Sequence, residues 1–344
     1  MKRILPQLLM LVLLLGSSFS GFSAGQKISQ KGLNVSLQDI VLGDDAFHGK
    51  RTFPSTEWWY FDAIFDDRYS AEMSVRVLSA LQKGIVISRL NIYDQGSLLS
   101  SDYASYQLNE FSASLDVPLV QINGNTVISG SYDNTTGNFI YDVSFEFPQC
   151  AAALHYVGCT KGWKRQQQTG EWWVVVLPQA TVTGTIIVNN TTKKVSGTGY
   201  HDHDWDVTWR TALNYGWFWG HVSSSNYTAT WATILSTRAT VKPMLVVNEN
   251  NAGYLDVPSK TIWFSAKDIH LDHGRFVPYF FNIETMTDDV FLVVNMQVVS
   301  IHHEPFISLV NYWRYHVKCT GTIIMNGHIE LVDGVFIAEY LQFR

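Results

Sequence analysis

The densest cluster of ionisable side chains in the sequence is Tyr200-His201-Asp202-His203-Asp204, inside residues 197–206. Read as a strand, it sends Tyr200, Asp202 and Asp204 to one face and His201, His203 and Trp205 to the other. Two carboxylates two residues apart repel, and burial also disfavours their charge, so one of them can hold a proton near neutral pH. That is what a general acid requires, with Tyr200, His203 and Asp204 as the candidate groups around Asp202. The structural alternative is that the histidines are hydrogen-bonded core residues and the aspartates bond to loop amides. His201 and His203 share a face, but two ligands do not make a metal site. His302-His303-Glu304 runs into Pro305 instead of continuing as a helix, so no metal and no cofactor is expected.

Glu57-Trp58-Trp59-Tyr60-Phe61-Asp62 forms a second cluster, in which Trp58, Tyr60 and Asp62 face one way and Glu57, Trp59 and Phe61 the other. Strand aromatics usually belong to a core, whereas a carboxylate among indoles must pair or titrate abnormally. Glu171-Trp172-Trp173 and Trp217-Phe218-Trp219 add further rings. The candidate ligand-binding residues are therefore Glu57, Trp58, Tyr60, Trp172, Trp173, Trp205, Trp217 and Trp219. The sequence has no G-x-S-x-G elbow, phosphate loop or dinucleotide fingerprint, which argues against acyl-enzyme and nucleotide chemistry.

The elements that must position these groups read as strands. Short runs rich in Val, Ile, Thr and aromatics alternate with Gly, Asn, Asp and Ser clusters, the pattern of an all-β chain. Ala71-Glu72-Met73-Ser74-Val75-Arg76-Val77 alternates with period two, and Asn123-Gly124 and Asn326-Gly327 suit two-residue hairpin turns. A length of 344 residues exceeds one ordinary core, so two antiparallel barrels or sandwiches are expected, joined near residues 206–215. The spans are 25–208 and 209–344. A charged fraction of 16% against 46% hydrophobic predicts extensive burial, and a net charge of −6 without a basic cluster excludes nucleic acid as a natural partner. Lys2 and Arg3, the apolar residues 8–15 and the small residues up to Ala24 follow the order of a secretory signal peptide, so residues 1–24 predict an exported, secreted or periplasmic protein. In an oxidising compartment Cys150 and Cys159 are expected to form a disulfide, leaving Cys319 alone.

Taken together, the glutamate–tryptophan motif at 57–62, the Gly-Tyr-His-Asp-His stretch at 199–203 and the Trp-Phe-Trp motif at 217–219 resemble the carotenoid 1,2-hydratase and AttH-like family. The resemblance implies two lipocalin-like β-barrel domains packed at an angle, with a largely apolar pocket near their junction. It also implies cofactor-independent addition of water to a carbon–carbon double bond, with Asp202 as proton donor and Tyr200 positioning it. Two places depart from the family pattern. Asp204-Trp205-Asp206 stands where the family has Asn-Trp-Gly, and Glu171-Trp172-Trp173 where the hydratases have His-x-Trp. The expected partner is an apolar isoprenoid, polyene or lipid, with at most a peripheral membrane contact; oligomeric state is left open. A non-catalytic lipid carrier and a secreted hydrolase are the competing readings.

Overall fold

The computed structural model describes residues 37–49, 54–66, 68–80, 83–208, 210–235, 241–250, 252–306 and 310–343. The proposed signal peptide lies outside them. Among the described residues, the chain is all-β: one antiparallel sheet of 13 strands curls into a nearly closed barrel, and a second, of nine strands, forms a half-barrel. Thr191–Val207 is the last strand of the first sheet, and Gly216–Ser223 opens the second. Helix among the described residues is confined to short 3-10 turns such as Leu42–Asp45.

Period-two alternation builds both the cores and the surfaces where the sheets meet. In Ser55–Phe65, Trp59, Phe61, Ala63 and Phe65 fill the inside of the first sheet. Met73, Val75 and Val77 of Tyr69–Ala80 join them. In the second sheet, Phe218, Trp313, Tyr315, Tyr340 and Ala338 do the same. The alternate positions point outward and converge on a third cluster, where Tyr60, Trp173 and Tyr200 of the first sheet pack with Trp219 and Ile337 of the second. Burying aromatic surface here, at roughly 25 cal/mol per Å², holds the two sheets together.

Both Asn-Gly pairs adopt left-handed backbone at each residue, as the two-residue hairpin turn requires. Gln95-Gly96 makes an equivalent turn, and its tip docks on the second sheet, where Ser300 donates to the Gly96 carbonyl. Beside it, Ser70 Oγ lies 2.8 Å from His316 Nε2. Burial, with Arg314 and His302 nearby, brings His316 down to about 4 against the opposing pull of Glu72 and Asp62. A neutral imidazole in the folded state and an ordinary one in the unfolded state make stability fall as pH drops from about 6.5 towards 4. His316→Gln should flatten this limb of the urea-denaturation profile by up to about 3 kcal/mol. An unchanged limb would show that other groups control it.

The expected disulfide is not formed. Cys150, Cys159 and Cys319 are all free thiols. Cys150 opens the strand Cys150–Gly158 and Cys159 follows its end, so about 30 Å of extended chain separates two groups that a disulfide needs within about 7 Å. Three thiols should therefore react in denatured, unreduced protein, and reductant should leave the melting temperature unchanged. A count of one would contradict the strand.

Candidate functional site

Strand register arranges the outward residues of the first sheet in rows. Asp204 lies beside Trp58, which lies beside Arg76; Asp202 is followed by Tyr60 and Ser74, and Tyr200 by Asp62 and Glu72. The facing sheet supplies Trp219–Glu339–Arg314 and Trp217–Leu341–Tyr312. Between these surfaces is a cavity of about 550 Å³. Its walls are aromatic, from Trp58, Tyr60, Trp173, Trp217 and Trp219, but Asp202, Asp204, Glu72, Arg76, Arg314 and Glu339 also reach it. The cavity lies between the sheets, because the inside of each is filled by its own side chains.

Asp202 is 5% exposed. Its Oδ2 accepts a hydrogen bond from the Tyr200 hydroxyl at 2.8 Å and another from Trp173 Nε1 at 3.2 Å. Burial pushes its carboxyl up to about 7 even though both bonds favour the ionised form, and Glu339 and Asp62 reinforce the rise. Asp204 is displaced upward in the same way, by burial first and then by Asp202, Glu339 and Glu171. With Oδ2 of Asp202 already accepting twice, a proton on this carboxyl belongs on Oδ1.

Tyr200 is fully buried and sits behind Asp202 instead of lining the cavity. Its ring stacks on His221 at 4.6 Å, and His221 Nε2 is 3.0 Å from Asp62 Oδ2, which also accepts from the Tyr60 hydroxyl at 3.0 Å. Arg314 is 1% exposed; it bonds to Glu72 Oε1 at 2.6 Å, and its guanidinium covers one face of Tyr60 at 4.8 Å. Arg76 lies over Trp58 at 5.2 Å, and burial brings its guanidinium down to about 10.

The structure brings Asp202, Asp204, Trp58, Tyr60, Trp173, Trp217 and Trp219 into one cavity. Glu57, His203, Trp172 and Trp205 are not among its lining residues. His203 projects to the other side of its strand, between Asp45 and Glu57, whose carboxylates push it up to about 9 against the effect of burial. Trp172 stacks on Trp205 at 5.7 Å. The strand's alternation ends in a bulge between Asp204 and Val207, where Asp206 has a φ of 57°. That conformation suits the glycine of the family pattern and is one that aspartate also tolerates.

Sequence reasoning did not single out Glu72, Arg76, Arg314 or Glu339. Glu72 and Arg76 occupy the polar phase of the alternating strand, which reads as a solvated face. Arg314, between Trp313 and Tyr315, carries the same period-two signal without a motif around it.

Solved structures provide the comparison. An AttH protein of Nitrosomonas europaea superposes with a TM-score of 0.67 at 12% identity, over 89% of this chain and 98% of its own. The fold is AttH-like. Kievitone hydratase of Nectria haematococca shares this AttH-like fold with a TM-score of 0.57 at 12% identity, over 88% and 93% of the two chains. CghA, in a structure with Sch210972, gives 0.55 at 11%, over 84% and 88%. No family model and no curated protein sequence matches the chain.

Proposed function

We propose that this is a hydratase-like protein that adds water across, or shifts, a carbon–carbon double bond in the cavity between the sheets. The observation that carries the reading is the Asp202 carboxyl, fixed on Oδ2 by Tyr200 and Trp173 at the wall of an aromatic cavity. The AttH-like fold, which kievitone hydratase shares, supports it. Asp202 delivers a proton from Oδ1 to one alkene carbon, the neighbouring carbon becomes electron-poor, and water adds there and returns a proton to the carboxylate. The π faces of Trp58, Trp173 and Trp219 at the cavity wall favour the developing positive charge. The chain's own groups suffice for each step, so no cofactor enters the proposal.

The substrate is an isoprenoid or lipid-like molecule with an apolar body against Trp173 and Trp217 and a polar end towards Arg76 and Glu72. Export, read from residues 1–24, would place this chemistry outside the cytoplasm. A Ser–His hydrolase gains no support, since no histidine is among the described cavity-lining residues. The test is incubation of lipid and polyene extracts with the mature protein in ¹⁸O-water. An uncleaved product heavier by one molecule of labelled water, or an unlabelled product with its double bond moved, supports the proposal; a labelled cleavage product makes the protein a hydrolase, and a compound retained but unchanged makes it a carrier.

A further inference from the structure

On the side of Thr191–Val207 that faces away from the cavity, His203 meets two side chains from a distant part of the chain, His48 and Glu57. Glu57 Oε1 lies 3.2 Å from His48 Nδ1 and 3.1 Å from His203 Nε2, and the three groups place ligand-type atoms within 4.8 Å of one another. Two histidines on one strand face do not make a site, but His48 and Glu57 complete a His-Glu-His set around His203. Zinc bonds of about 2.0–2.1 Å in a tetrahedron put neighbouring ligand atoms roughly 3.4 Å apart, close to the two spacings found here.

The surroundings of these rings point the same way. His203 Nδ1 is 3.0 Å from Asp45 Oδ1, so the ring's other nitrogen, Nε2, is the one turned towards Glu57. His203 stacks on Trp59 at 4.5 Å, and His48 stacks on Trp205 at 3.7 Å with only 8° between planes. Ring positions fixed by stacking do not have to be ordered when an ion binds. His203 is fully buried, Glu57 nearly so, and the His48 side chain is 22% exposed, which opens a route for the ion and a position for a water ligand.

We infer that His48, Glu57 and His203 form a binding site for a divalent transition-metal ion of the zinc class. The ion takes the place of a proton between His203 Nε2 and Glu57, and ties residues 45–48 to the strand whose opposite face presents Asp202. Nitrogen and carboxylate donors with an open fourth position suit Zn²⁺ or Co²⁺ better than Ca²⁺ or Mg²⁺, which prefer oxygen ligands throughout.

The test is equilibrium dialysis of metal-free full-length protein against Zn²⁺, read by elemental analysis, with Co²⁺ substitution read by its visible spectrum. The wild type should hold about one ion per chain and melt at a higher temperature with zinc present. His48→Ala and Glu57→Gln should weaken binding by more than the 10- to 100-fold typical of an outer-shell change, and should abolish the tetrahedral Co²⁺ bands. His48→Ala, at the most exposed of the three positions, serves as the variant whose fold is checked by circular dichroism. Absence of stoichiometric zinc from the wild type, or equal binding by the wild type and a folded His48→Ala, would overturn the site and leave a buried ion-pair network. Histidines elsewhere on the surface, such as His155 and His270, remain in every variant and set the background.

Discussion

Asp202→Asn should abolish most turnover while leaving ligand binding nearly intact. The amide keeps the size of the side chain and an oxygen for Tyr200 and Trp173 to bond, but it has no acidic proton to give. A positioned general acid typically contributes a factor of about 10² to 10⁴ in rate, and loss of that order is expected here. Incorporation of ¹⁸O into product measures it, and retention of the same compound on the protein gives the binding arm. Tyr200→Phe separates positioning from proton transfer: it removes one of the two donors to Oδ2 and should lower kcat less than Asp202→Asn, with little change in KM. Full activity in Asp202→Asn would sink the assignment and move attention to Asp204.

The second large effect concerns stability. Arg314 reaches from the second sheet to Glu72 in the first, and its Nη1 is 3.5 Å from Glu339 Oε2. Burial works against the ionised form of Glu72, yet Arg314 and Arg89 hold its carboxyl below the ordinary range. Arg314→Met keeps much of the volume but leaves buried Glu72 and the partly exposed Glu339 without this cation. Breaking a buried pair from one side costs about 3–5 kcal/mol, whereas replacing both partners is often neutral. The urea midpoint of Arg314→Met should therefore fall sharply, and Arg314→Met with Glu72→Gln should recover much of the loss. A single variant within 1 kcal/mol of wild type, or a double variant no better than the single, would mean the pair does not hold the sheets together.

Alternation along the chain was the most legible signal, because side-chain phase in a strand is a local property. It assigned Tyr200, Asp202 and Asp204 to one face and Glu57 and Trp59 to the opposite face from Trp58 and Tyr60, and the structure has these phases. It could not tell which outward face would be covered by another sheet. That depends on contacts such as Glu72 with Arg314, 242 residues apart, and no spacing rule reaches so far. Burial of the outward face is what turns a polar phase that looks solvated into the charged lining of a cavity.

His203 illustrates the same limit from the other side. It belongs to the densest ionisable run in the chain, but strand phase separates it from its sequence neighbours and gives it Asp45 and Glu57 as partners. The Cys150–Cys159 expectation failed for a local reason. Ala151-Ala152-Ala153 has little strand propensity and reads as a loop, whereas pairing on both edges, with Asn138–Glu146 and Trp172–Val188, holds it extended.

Because the cavity lies between two filled sheets, its dimensions are set by how the sheets sit against each other. A substitution at Trp217 or Tyr312 can reshape the binding space without disturbing either interior, so ligand preference can diverge among proteins of this fold while both scaffolds stay unchanged. The same arrangement leaves each half, expressed alone, with only one wall of the site.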